Sequence, residues 1–181
     1  AKCVLKDPGP SGWITVQVTD LGLSQQPVDY TIDSSPAQLV SYDKNKKHLL
    51  NGPGYAIIHH RFRHFNKINR KYRQEIKKVF LCLGGAVEYR LLRDVVHLLS
   101  RQQLDIKVAP GYYMKKSGQK ALKRIYHRLR FVGETDNLAR ALYEADVAFV
   151  APGVTAYEAA AAGTPALYFY YHDEQRFVAQ T

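Results

Sequence analysis

Cysteine is scarce in this chain of 181 residues, which has two in all, Cys3 and Cys82. They stand far apart, with no metal-ligand spacing around them, so neither a disulfide framework nor a structural zinc pattern is present in the sequence. Cys82 lies inside the apolar run "KVFLCL" and reads as a small buried hydrophobe. Long hydrophobic runs are missing too. The longest are strand-sized, short of the roughly 20 residues that cross a bilayer. The opening "AKCVLKDPGPSGW" lacks the order of charge, apolar stretch and cleavage site of a signal peptide, so a cytoplasmic address is the expectation by default. Acidic residues are also in short supply. Sixteen Asp and Glu face 26 Lys and Arg, for a formal charge of +10 and a pI near 9.6. That surplus favours anionic partners, whether nucleic acid, acidic lipid or a phosphorylated small molecule, without choosing among them. Internal repeats and low-complexity segments are absent.

What is present suffices for one full core, or one domain and part of another, since 46% of the residues are hydrophobic. From Val79 onward, apolar runs rich in β-branched and aromatic residues alternate with amphipathic segments. "KVFLCL" leads into "EYRLLRDVVHLLSRQQ", where Leu91, Leu92, Val95, Val96, Leu98 and Leu99 recur at helical spacing. Then come "LDIKVAP", helical "ALKRIYHRL", "RFV", helical "NLARALYEA", "DVAFVAP", helical "TAYEAAAA" and "PALYFY". Continuous apolar strands are buried on both faces, which predicts an α/β, Rossmann-like, doubly wound parallel sheet.

The first 55 residues offer two further strands, "WITVQVTDLG" and "VDYTIDSS", with no comparable helix between them, as in the tail of a preceding α/β domain. The chain stops at "DEQRFVAQT", within what reads as the first turns of a helix. Both ends predict a piece of a longer protein. The Gly/Pro punctuation "NGPGYAII" sets the expected boundary near Gly52, so that residues 1–51 are the remnant of an N-terminal domain with its linker. Residues 52–181 are then a nucleotide-binding domain truncated at its C-terminus.

Ligands of open parallel sheets bind where strands end and helices begin. Two such turns stand out. In "LCLGGAVEY", Gly84 and Gly85 would let phosphate oxygens approach the amides of Gly85 and Ala86, or would simply serve a tight turn. In "APGVTAYE", Pro152, Gly153 and Thr155 bracket a helix start. The Thr155 to Glu158 spacing is that of a capping box, in which the carboxylate folds back on the backbone. Alternatively, Glu158 presents two acceptors to a vicinal diol such as a ribose.

The order "GGA" after a strand, followed by "FVGETDNLARALYEADVAFVAPGVTAYEAAAAGTPALYFYYHDEQ", resembles the C-terminal nucleotide-binding domain of GT-B-fold nucleotide-sugar enzymes. The pattern is most similar to UDP-sugar hydrolases of the pseudaminic acid pathway and to spore-coat polysaccharide biosynthesis proteins. It is more distantly similar to the peptidoglycan N-acetylglucosaminyltransferase. "LLNGPGYAIIHHRF" resembles the interdomain crossing of the hydrolases, and "VTDLGLSQQPVDYTIDSS" the end of their N-terminal domain.

The resemblance implies roles for particular residues. Gly84, Gly85 and Ala86 would lie at the pyrophosphate, and backbone groups of Val132 at the uracil edge. Gly153, Val154 and Thr155 would hold phosphate at a helix N-terminus, Glu158 the ribose hydroxyls, and Gln175 would reach toward the sugar. It implies UDP or a UDP-sugar as ligand, displacement at the anomeric carbon with UDP leaving, and neither cofactor nor metal. Three positions depart from the family pattern. Ala86 replaces a hydroxyl residue, Pro152-Gly153 replaces Gly-Gly, and Glu174-Gln175 replaces Asn-Gln. The family's catalytic histidine belongs to a Gly-rich loop near the start of the N-terminal domain, and no general base is evident in this chain. The nucleotide grip is expected here and the acceptor chemistry in the missing N-terminal domain.

Other features carry two readings each. "HHRFRHFNKINRKYRQEIKK", His59 to Lys78, holds eight Lys and Arg against one Glu, with Phe62, Phe65, Ile68 and Tyr72 interleaved. It reads as a solvated helix whose apolar stripe packs on its own domain, or as a basic face for peripheral contact with an anionic membrane, nucleic acid being the less expected partner. A non-catalytic basic binding module on the same fold is the rival function, and a sensing domain that keeps the pocket is a third. His60 and His64 stand at i and i+4, but nothing in the sequence completes a metal set. Asp173, in "HDEQ", reads as a helix cap or a polar group at a strand end. Tyr112 and Tyr113, after "VAPG", could line the sugar side of a crevice, although the chain has 13 tyrosines.

Overall fold

The computed structural model describes residues 13–19, 28–35, 48–68, 70–72, 74–133, 137–171, 173 and 175–176. The chain divides into two compact units between Ile57 and Ile58.

The first unit holds a three-stranded parallel sheet, β1 (Val16–Thr19), β2 (Tyr30–Asp33) and β3 (Leu49–Asn51), in that order. Val16 pairs with Tyr30 and Thr31 with Leu49. Both strands expected from sequence form. The third, β3, is too short for a periodicity to register and sits against the Gly/Pro run that reads as punctuation. Asp29 closes the start of β2, its carboxylate accepting from the Thr15 N–H at 2.7 Å and the Thr15 hydroxyl at 2.8 Å. At the other end Asp33 is fully buried and accepts the Ser35 N–H at 2.9 Å.

The second unit is a five-stranded sheet, all parallel. Its strands are β4 (Lys78–Cys82), β5 (Asp105–Val108), β6 (Leu129–Phe131), β7 (Val147–Val150) and β8 (Ala166–Tyr168), in the spatial order β6-β5-β4-β7-β8. The chain winds from β4 outward to β6, then returns to the other side of β4 for β7 and β8. This is a doubly wound α/β sheet with its topological switch between β4 and β7.

The helices are α1 (Phe62–Asn66), α2 (Tyr89–Ser100), α3 (Lys116–Ile125), α4 (Leu138–Glu144) and α5 (Val154–Ala161). One face of the sheet packs Val79, Leu81, Ile106, Val108 and Leu129 against Leu92, Val95, Val96 and Leu99 of α2 and Leu122 of α3. The opposite face packs Phe80, Ala148 and Val150 against Phe62 of α1, Leu142 of α4 and Ala159 of α5. Central strand β4 thus buries alternate residues into different cores, which is why its sequence is apolar without interruption. No helix among the described residues is long and apolar enough to cross a membrane.

The basic segment does not form the expected long helix. Among the described residues of the segment only Phe62–Asn66 is helical. Eight cations with one acidic residue leave almost no i, i+4 ion pairs to hold an isolated helix, and like charges at that spacing repel. The apolar stripe accordingly splits. Phe62 is buried and Phe65 packs on Tyr143 with ring centroids 4.8 Å apart, whereas Ile68 and Tyr72 are exposed. Arg70, read from sequence as one surface charge among many, is instead a clasp. Its guanidinium donates to the carbonyls of Ala145 and Ala162, at the C-terminal ends of α4 and α5, and to the Thr164 hydroxyl at 2.8 Å, and it lies 5.3 Å from the Tyr143 ring centroid. A cation there also meets the negative ends of both helix dipoles. α5 itself ends in a Schellman motif, with Gly163 at φ 65°, its N–H on the Ala160 carbonyl and the Thr164 N–H on that of Ala159.

Candidate functional site

The carboxyl ends of β4 and β7 face the switch point, and both turns singled out from sequence lie there. After β4, Leu83 is buried and Gly84 takes φ 91°, a left-handed conformation that a side chain would strain. The turn continues through Gly85 and Ala86, and α2 starts only at Tyr89. The Gly85 and Ala86 amides therefore belong to the turn and not to a helix N-terminus. After β7, the Ala151 N–H continues the ladder to the Cys82 carbonyl at 2.9 Å, and Gly153 caps α5. Gly153 is extended, at φ −177°, with open space where a Cβ would be.

This places the start of α5 at Val154, so Thr155 and Glu158 are its second and fifth residues and form no capping box. The Thr155 hydroxyl lies 3.7 Å from the Cys82 thiol at the end of β4 and hydrogen-bonds the Glu158 carboxyl. Glu158 is half-buried. Burial raises its pKa above the ordinary glutamate value, and the Thr155 hydroxyl offsets part of that rise. The carboxylate is thus partly stripped of water and short of donors, which suits a group awaiting hydroxyls. The first-turn amides of Val154 and Thr155 have no acceptor within the helix and are available to an anion.

The remaining expected residues sit less simply. The Val132 N–H bonds the Val108 carbonyl at 2.8 Å, extending the β5–β6 ladder, so the group Val132 can offer a base is its carbonyl. The Gln175 side-chain carbonyl accepts the Tyr171 N–H at 3.3 Å, and the Tyr171 hydroxyl donates to the Leu83 carbonyl at 3.0 Å. Gln175 thereby braces Tyr171, whose hydroxyl oxygen is 3.4 Å from where a Cβ on Gly84 would stand. Asp173 is exposed, and Glu174 lies outside the described residues. Among the described residues no group of three or more His, Cys, Asp or Glu could hold a metal.

The turn also meets the loop of Gly111 and Tyr112, the latter named from sequence as a residue that could line the sugar side of a crevice. The Tyr112 N–H bonds the Gly85 carbonyl at 2.8 Å, and a Cβ on Gly111 would stand 2.7 Å from that same oxygen. A Cβ on Gly85 would fall 2.6 Å from the Tyr112 ring. Gly111 is therefore needed for the two loops to meet, and Gly85 leaves room for the Tyr112 ring. The signal available in sequence was the second Gly directly after a strand, in "VAPGYY".

The chain is similar to the spore coat polysaccharide biosynthesis protein SpsG of Bacillus subtilis (strain 168), to which it is 25% identical over 146 residues, covering 77% of this chain and 42% of the relative. The chain thus spans about two fifths of the length of that relative. No family model matches. Among solved structures it is similar to the E. coli heptosyltransferase WaaC with ADP-2-deoxy-2-fluoro heptose, at 15% identity and a TM-score of 0.43 over 84% of this chain and 66% of that one. The same enzyme with ADP aligns at 14% identity and 0.40, over 82% and 64%. Likeness at that level concerns the general trace and leaves the site to be argued from the residues above.

A cavity of about 370 Å³ lies elsewhere, at the amino ends of β4 to β6, lined by Lys78, Lys107, Arg128 and Arg130 with Asp105 and Glu144. Its charges are largely engaged with one another, Arg128 with Asp105 at 2.8 Å and Lys107 with Glu144 at 3.7 Å. Arg128 holds the Asp105 carboxyl below its ordinary range, and Arg140, bonded to Glu144 at 2.7 Å, does the same for Glu144 with help from Lys107. The switch-point crevice is the better site on topology, because it gathers unpaired helix amides and a desolvated carboxyl.

Proposed function

We propose that the Ile58–Ala179 unit binds the UDP part of a UDP-sugar, as the C-terminal half of a GT-B nucleotide-sugar hydrolase or glycosyltransferase of surface polysaccharide or nonulosonic acid-type biosynthesis. The observation that carries this reading is the pairing of a half-buried Glu158 of raised pKa with the α5 N-terminus, directly across the switch point from the Gly84–Ala86 turn. The likeness to a polysaccharide biosynthesis protein supports it.

In this account the α5 first-turn amides and the turn amides stabilise charge growing on the departing diphosphate. Glu158 accepts hydrogen bonds from the ribose diol, and those donors supply what burial took from it. The Val132 carbonyl accepts from the base edge. Gln175 acts through Tyr171 on the Gly84 turn and keeps its side-chain NH2 for the sugar. The acceptor and its general base belong to the N-terminal domain of the parent protein.

The test is stabilisation of the chain by UDP against ADP and GDP. Ligand at a hundredfold over Kd adds about 2.7 kcal/mol to the folded state. UDP should shift Tm more than the other two, at low and high salt alike. Equal shifts with all three, or binding that collapses with salt in the manner of a polyanion site, would favour the basic module instead.

A further inference from the structure

Tyr112 is 94% exposed, yet its ring lies on Gly85 at the carboxyl end of the sheet. Its backbone is fixed, because the N–H is tied to the Gly85 carbonyl and Gly111 is pressed against the Gly84 and Gly85 carbonyls, where a Cβ would come within 3.1 and 2.7 Å. Its side chain, with so much of its surface in water, is held by little besides that one contact. A large aromatic so placed costs solvent exposure without contributing to the core, and rotation about its own bonds sweeps the ring over the Gly84–Gly85 turn.

The turn has unlike neighbours on its two sides. On the β7 side stand the α5 amides, suited to phosphate. On the β5 side stands a flat apolar ring, with the β6 edge and the Val132 carbonyl beyond it. A nucleotide laid across the turn with its phosphates toward α5 brings its base to the Tyr112 side.

We infer that Tyr112 stacks on the base of the bound nucleotide and is an affinity-determining residue of the site, an inference that rests on the nucleotide reading above. Aromatic stacking on a base supports affinity without distinguishing one base from another, so Tyr112 contributes grip and the Val132 edge contributes discrimination.

The experiment compares UDP, which has a base, with inorganic pyrophosphate, which has none, by titration calorimetry on the wild-type chain and on Tyr112→Ala and Tyr112→Phe. Tyr112→Ala should weaken UDP about tenfold or more, a stacking-sized loss, and leave pyrophosphate within about twofold. Tyr112→Phe should retain UDP binding, since its ring can still stack. Three results would overturn the inference: UDP affinity unchanged in Tyr112→Ala, an equal loss for both ligands, which would mark a merely structural role in the loop, or a gain, which would make the ring an obstruction. If the wild-type chain binds neither ligand, the nucleotide reading falls with it. If the wild-type binds UDP and Tyr112→Ala is neutral, only the stacking role falls. The exposure of the ring keeps folding intact in the variants, which an unchanged melting curve confirms.

Discussion

Removing Arg70 should destabilise the sheet unit far more than a surface charge would. The guanidinium serves the ends of two helices and a loop hydroxyl, through Ala145, Ala162 and Thr164. The bond to Ala162, at 3.4 Å, is the long one, which leaves those to Ala145 and Thr164 to be counted. A hydrogen bond to a charged partner contributes about 1.5–3 kcal/mol, and in this part-buried setting water recovers some of it, so the low end applies to each, for about 3 kcal/mol in Arg70→Ala. Thr164 keeps its own bond to the Leu142 carbonyl at 2.8 Å, which limits the loss on that side. At roughly 2–4 °C per kcal/mol for a chain of this size, Tm should fall by about 9 °C. Arg70→Met, which keeps the apolar stem over Tyr143, should lose nearly as much, whereas Arg70→Lys, able to reach one carbonyl, should lose about half. Urea denaturation followed by circular dichroism measures all three. A change below about 0.5 kcal/mol in Arg70→Ala would refute the clasp and return Arg70 to the solvated surface.

Two further substitutions test the crevice. Gly111→Ala, which drives a Cβ against backbone oxygen, should cost about 1–3 kcal/mol in urea denaturation. Gly85→Ala meets only the exposed Tyr112 ring and should cost less, and the reverse order would contradict the loop contact. Glu158→Gln should be as stable as the wild type or more so at neutral pH. With the folded pKa raised, stability is full below the ordinary glutamate range and lost as pH rises through the raised value, so the advantage of Gln should appear on the alkaline side and vanish in acid. Denaturation at several pH values checks this, and an advantage that grows in acid would contradict it.

Much of the sheet unit was legible because each core strand is a continuous apolar run and each flanking helix carries one apolar stripe. β4 announced burial on both faces, and Leu92, Val95, Val96 and Leu99 announced α2. What the sequence withheld were features set by a single contact. α3 starts at Lys116, ahead of the expected "ALKRIYHRL", because its first turn is polar and leaves no periodic trace. The basic run looked helical from its aromatic spacing, but charge repulsion and the reach of Arg70 to two helix ends took precedence over that pattern. In the candidate site, the positions of Gly84 and Gly153 after strand ends, and of Glu158 in the helix that follows Gly153, were legible from pattern. The cap at Gly153, the spent N–H of Val132 and the ring of Tyr112 depend on backbone geometry that spacing does not encode.

The central claim is that the carboxyl ends of β4 and β7 form a UDP site, and the UDP titration read at individual backbone amides by NMR tests it most directly. The account predicts that the amides of Gly85, Ala86, Gly153, Val154 and Thr155 shift together on titration. Shifts clustered instead at Lys78, Lys107, Arg128 and Arg130, the basic cavity at the opposite edge of the same sheet, would contradict it.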